Sequence, residues 1–404
     1  MFELLFRKAA RSFGIALVMW LRRAWLRKAF ALGATFFDKE TAPPSGVTLR
    51  TKDWCSRQKP LANYKEIIPE SRAPRRPPRT IEPQVHWKFR AISERRFPAT
   101  FLAQVPSGRV VGAPGFVMTP DGQILADVSK EWFFTPNQHS LFFKVKLPPL
   151  QKLSGTTVTL AAISGGTYFH WLTDVLPRLA LLEKAGIRLA DVDRFIVNDS
   201  RAPFLRKTLD LLGIPEKKRV FTSARFHAQC ETLLVPSMPG PSGQCPQWAI
   251  AFLRETFFPK IERGSAPQRI YISRQRSRYR RLLNEAPVRD LLLSRGFREV
   301  FLEELPFIKQ VELFASASAV VAPHGAGLTN LAFCSPGTKV LELFSPNYVN
   351  ECFWDLAEET RLDYHYLLGE GKQPAENADP HRVEEDIRVD CEKLRRTLDA
   401  AGLK

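Results

Sequence analysis

Five short apolar runs recur through the second half of this chain: RIYIS at 269–273, REVFL at 298–302, AVVAP at 319–323, KVLELF at 339–344 and DYHYLL at 363–368. Stretches with helical spacing lie between them. Strands that alternate with helices pair in parallel and need cover on both faces, so the pattern predicts an α/β fold. The middle of the chain repeats the theme. TTVTLAAI at 156–163, DRFIVND at 193–199 and ETLLVP at 231–236 read as strands, and PFLRKTLDLLG at 203–213 as a helix closed by Gly213. SMPGPSGQCP at 237–246 separates the two halves and predicts a domain boundary. At 404 residues the chain has room for two domains.

Three segments beside these strands carry candidate chemistry. The first is PHGAGLTN at 323–330. A glycine turn that opens a helix after a parallel strand presents unpaired backbone N–H groups, a setting suited to an anion. Gly325 and Gly327 lack a Cβ, which lets a ligand approach the main chain. A tight turn without a ligand would read the same way. His324 is placed to donate to a phosphate, and Glu342 to accept from ribose hydroxyls, to serve as a structural cap or to be a buried salt-bridge partner. The second segment, RIYISRQRSRYRRLLNE at 269–285, holds six arginines in its first 13 residues. Guanidinium forks match phosphate oxygens in pairs, and a strand end is where ligands gather in open α/β sheets. Asn284 and Glu285 add hydrogen-bonding groups before the next helix. A solvated basic loop is the plain alternative. The third segment is the glycine turn and helix at 165–186, where His170 and Asp174 stand four apart on one helical face. That spacing suits a base and its orienting partner, in either order, or a simple surface hydrogen bond.

Lysine and arginine number 59 against 42 acids, a net charge of +17. Such a balance predicts attraction to nucleic acid, a membrane surface or a phosphorylated substrate. Nucleic acid is disfavoured, because aromatic partners for base stacking are sparse around the arginine cluster. The six cysteines are scattered without zinc spacing, which argues against structural zinc and suits a cytosolic compartment. The first 37 residues hold seven basic residues and one acid, and their longest uncharged run is 10 residues. A membrane span needs about 20. Arg7, Lys8, Arg11 and Arg22 share one arc of a helical wheel, the pattern of a basic amphipathic helix on an anionic membrane. Residues 41–84, rich in proline and arginine, predict a linker or a surface arm. A strand-rich region is expected from about Val85 to Val145, broken into short segments by Gly108, Gly112, Gly115 and the Pro120-Asp121-Gly122 turn. P-loop, zincin and α/β-hydrolase signatures are absent, and Asp191-Val192-Asp193 reads as a turn before a strand.

YFHWLTDVLPRL at 168–179, YISR with RRLLNE at 271–285, and PHGAGLTNLAFCSPGTKVLEL at 323–343 resemble, in this order, glycosyltransferase family 61. That family includes bacterial capsular polysaccharide biosynthesis proteins. The likeness covers roughly 155–370. It implies a GT-B-like architecture, two Rossmann-like domains facing a cleft, with a basic N-terminal helical segment in front. The expected division is 1–84 for the basic helix and arm, 85–245 for an acceptor domain, 246–382 for a nucleotide-sugar domain and 383–404 for a C-terminal helix. The implied chemistry is inverting transfer of a sugar from a nucleotide donor, UDP-linked, to a hydroxyl of a cell-surface polysaccharide or glycolipid precursor.

Asp174 is the expected base, with His170 orienting it or the acceptor. Arg274, Arg280, Asn284, Glu285, His324, Gly325, Ala326, Gly327, Asn330 and Glu342 are expected around the donor. No cofactor is expected, and a divalent metal stays open. The expected partners are a nucleotide sugar, a saccharide or lipid-linked acceptor, and an anionic membrane met through residues 1–30. The expected location is cytoplasmic, at the inner membrane face. The alternatives are a non-catalytic basic protein that binds RNA or an acidic polymer, and an inactive relative of the family.

Overall fold

The computed structural model describes residues 40–132, 134–199, 201–262 and 267–404. The expected N-terminal amphipathic helix lies outside them. Among the described residues, no helix is long and apolar enough to cross a membrane.

Two sheets organise the molecule. The five runs of the second half form one all-parallel sheet from strands Gln268–Ile272, Phe297–Val300, Ala317–Pro323, Lys339–Phe344 and Asp363–Leu368. Numbered along the chain, their spatial order is 2-1-3-4-5, a doubly wound order. Helices cover both faces, which is why Val320, Val321, Leu341 and Leu343 are all fully buried and the strands read as unbroken apolar runs. The order reverses between the first and third strands, which pair directly. Their carboxyl ends lead into the arginine segment and the PHGAG turn.

The other sheet is mixed and has ten strands. Gln151–Thr159, Arg194–Val197 and His227–Pro236 run parallel, as the sequence pattern predicts, and Arg219–Phe221, which it did not show, joins them. His227–Pro236 then pairs antiparallel with Thr100–Pro106 and Arg109–Val111. Gly46–Thr48 and Asn63–Ile68 add edge strands, so part of the proline- and arginine-rich stretch is built into this sheet. The first half is therefore only partly Rossmann-like: its doubly wound portion carries an antiparallel extension.

Residues 75–79 form an arm on the second half. The Arg79 amide donates to the Tyr364 carbonyl, and Arg75 pairs with Asp355 and Glu359. One apolar cluster runs through both halves, joining Leu172 and Val175 of the first to Phe307, Phe333 and Phe353 of the second. A cleft opens where the two halves meet.

Candidate active site

The cleft has a volume of about 410 Å³ and draws lining residues from both halves. A larger hollow of about 900 Å³ lies beneath the arm, and of the motif residues only Gly337 and Lys339 line it. Chemistry concentrates in the smaller one.

One wall comes from the helical segment after the 165–167 turn. Its middle, Trp171–Val175, is a π turn in which the Leu176 amide donates to the Trp171 carbonyl at 2.9 Å. Pro177 follows and has no N–H with which to continue an α-helical ladder. Such single turns recur at functional sites. His170 Nδ1 and Asp174 Oδ2 meet at 2.7 Å. Asp174 also accepts from Thr173 Oγ1 at 3.0 Å and is buried, whereas His170 lines the cleft. Beneath them the buried Arg178 guanidinium donates to the Pro236 and Ala161 carbonyls, and burial lowers its pKa to about 9. The sequence left the order of the pair open and leaned toward Asp174 as the base. Of the two, only His170 lines the cleft.

The opposite wall is built at the switch point of the parallel sheet. Arg274 Nη2 donates to the Tyr279 carbonyl at 3.0 Å and Nε to the Arg280 carbonyl, so Arg274 braces its own loop. Its guanidinium packs against Gly325, where an added Cβ would lie 2.1 Å from Nη1. Gly325 is extended, with φ at 174°, so the position needs a small residue to make room for Arg274. The space expected for a ligand at Gly325 is thus taken by this arginine. Arg280 lines the cleft instead. Its φ of +56° is a strained value for a side-chain-bearing residue, and such strain clusters at functional sites. The Arg280 guanidinium lies 4.8 Å from the Tyr279 ring and 5.6 Å from the Tyr348 ring, and its buried Nε has no hydrogen-bond partner.

His324 also lines the cleft, held among Phe344, Tyr348 and Phe353. Its Nδ1 meets Glu342 Oε1 at 2.5 Å, and Glu342 Oε2 accepts from Tyr364 Oη at 2.5 Å. Burial disfavours charge on both groups, pushing His324 well down and Glu342 well up. The pair then shares one proton, and in either placement of that proton Nε2 of His324 remains a donor. After His324 the chain enters a short 3-10 helix, Ala326–Phe333, whose first residue is exposed in the cleft.

Several expected donor contacts stand elsewhere. Glu342 is fully buried behind His324, so a ribose contact is closed to it. Glu285 is buried and accepts from Tyr271 Oη at 2.7 Å and from Ser273 Oγ. Asn284 clamps the Val389 backbone through both ends of its amide. Asn330 is buried and bridges the halves, accepting from Tyr168 Oη at 2.6 Å and donating to Gln310. Trp132, Gln244 and Tyr348 are among the cleft residues that were not read from the sequence. A tryptophan within a loop, in EWFFT, was the available signal for the first. Among the described residues, no three of His, Cys, Asp and Glu gather in a metal-binding group.

Residues 168–341 match the family model for Glycosyltransferase 61. The match spans 174 residues, less than half of the chain. That span includes His170 and Asp174 on one wall and Arg280 and His324 on the other. A similar curated protein is beta-1,2-xylosyltransferase RCN11 of Oryza sativa subsp. japonica, 40% identical over 59 residues. The match covers 15% of this chain and 11% of that protein. Trp132, Tyr348 and Glu342 fall outside the matched glycosyltransferase 61 span.

Proposed function

We propose that this protein is an inverting glycosyltransferase that moves a sugar from a UDP-linked donor to a hydroxyl of a cell-surface polysaccharide or glycolipid precursor. The observation that carries the reading is one cleft with an imidazole–carboxylate pair on one wall and an unpaired guanidinium on the other. His170 Nε2 takes the acceptor proton, and Asp174 holds the imidazole through Nδ1. The acceptor oxygen attacks the anomeric carbon as the bond to the diphosphate breaks. The diphosphate leaves with the electron pair, met by Arg280, by Nε2 of His324 and by the first amides of the Ala326–Phe333 helix. Arg274 and Glu342 act at one remove, fixing the loop and the His324 ring.

In this reading the two halves form a GT-B-like pair, and the leaving group is stabilised by protein cations and amides. The basic first 37 residues would hold the protein at an anionic inner membrane face. The family match and the xylosyltransferase relative support sugar transfer; the donor and acceptor are our inference. The test is calorimetric titration with UDP, followed by UDP release from UDP-sugars with saccharide acceptors present. Binding with acceptor-dependent release is expected. A chain that binds no nucleotide would refute the reading.

A further inference from the structure

The cleft holds an unusual concentration of exposed aromatic surface. Among the described residues, eight large apolar side chains stand exposed and only two are aromatic, Trp132 at 45% and Tyr279 at 37%. Both line this one cleft. They come from different halves, Tyr279 beside Arg280 and Trp132 beside His170. The Trp132 ring centre is 5.4 Å from the His170 ring, at 55°. Its Nε1 donates to Ser164 Oγ at 3.4 Å, which tethers the indole. The result is a flat apolar plate held next to the imidazole.

The nearby polar groups sharpen what such a plate would take. Gln244, from the segment that joins the two halves, also lines the cleft, and its buried Oε1 has no hydrogen-bond partner. A buried acceptor without a donor is costly until one arrives. A ligand that suits both features has an apolar face and hydroxyls at its edge. A sugar ring has this form, with C–H bonds on its face and hydroxyls around it.

We infer that Trp132 is the platform on which the acceptor's sugar ring stacks, so that the acceptor hydroxyl belongs to a saccharide. The inference rests on His170 as the base. Trp132 also lies outside the matched span 168–341, which makes the platform a feature of this chain's own N-terminal region. Stacking aligns the ring beside His170, while Gln244 Oε1 accepts from a ring hydroxyl.

The experiment measures binding of cellotetraose, xylotetraose and mannotetraose to the full chain with UDP present, by saturation-transfer NMR and calorimetry. At least one should bind the wild type. Trp132→Ala should weaken it by about tenfold or more, and Trp132→Phe should hold it within about threefold. UDP affinity should stay unchanged in both variants. Trp132 is half exposed, so the fold should survive, which an unshifted Tm checks. Saccharide binding unaffected by Trp132→Ala would overturn the platform. A wild type that binds UDP but none of the three saccharides would overturn it too, and would leave the donor reading standing. Saccharide binding lost on Trp132→Ala in a chain that ignores UDP would sink the donor reading alone.

Discussion

His170 and Asp174 are separated by access to the cleft. The carboxylate sits behind the ring, bound to Thr173 as well, and the ring faces the open space. His170→Ala should therefore cut sugar transfer by roughly 10²-fold or more while UDP affinity holds. Asp174→Asn keeps the ring and loses control of its tautomer, so its loss in kcat should be smaller. A larger loss in Asp174→Asn than in His170→Ala would restore the carboxylate as base. The buried pair on the other wall makes a pH prediction. The folded pair keeps one proton, because burial lowers the His324 pKa and raises that of Glu342. The unfolded chain holds two below the usual carboxylate value of 4.5, one from there to the usual histidine value of 6.5, and none above. Stability from the pair thus rises with pH below the first value, is level between them and falls above the second. Glu342→Gln removes the carboxyl proton, so its contribution is level above the histidine value and declines below it. Tm measured from about pH 5 to pH 8 should fall more steeply on the alkaline side in wild type than in Glu342→Gln. Parallel curves would contradict the shared proton.

At the scale of elements, the parallel strands were legible because burial on both faces leaves unbroken apolar runs bounded by glycine and proline. The antiparallel extension was legible only as a run of short segments between about 85 and 145, since strands such as Gln123–Leu125 are three residues long and carry too little period to place, and Gly46–Thr48 fell in the stretch read as a linker or arm. The π turn was hidden as well. His170 and Asp174 fit ordinary helical spacing, and only Pro177 hints at a break in the ladder. Nor does spacing reveal that the start of this helix is tied across the molecule. Tyr168 Oη donates to Asn330 at 2.6 Å, joining the helical segment that carries His170 to the one that follows His324. Asn330 is fully buried, so removing the hydroxyl strands its Oδ1. Tyr168→Phe should cost about 1–3 kcal/mol in denaturant unfolding. A change within about 0.5 kcal/mol would mean that the bridge holds little.

Over the whole molecule, the site is a product of assembly. Sequence order placed candidate base and phosphate-binding residues in different halves, and the motif segments did converge on one cleft. What stayed unreadable was which side chain of each cluster faces inward. Six arginines in a short loop look alike in sequence; the fold turns Arg274 into the loop and Arg280 into the cleft. Glu342 was open in sequence between a ribose contact, a cap and a buried partner in a salt bridge; the fold makes it the buried partner of His324, with Tyr364 on the neighbouring strand. Trp132 arrives from a region with no motif. In the proposed function the two walls divide the labour, nucleotide on the Arg280 wall and base on the His170 wall. Calorimetric UDP titration of wild type, Arg280→Ala and His170→Ala tests it most directly. UDP should bind wild type and His170→Ala alike, and bind Arg280→Ala about tenfold or more weakly. Equal affinity in wild type and Arg280→Ala, or a loss on removing His170 as large as on removing Arg280, would contradict the claim.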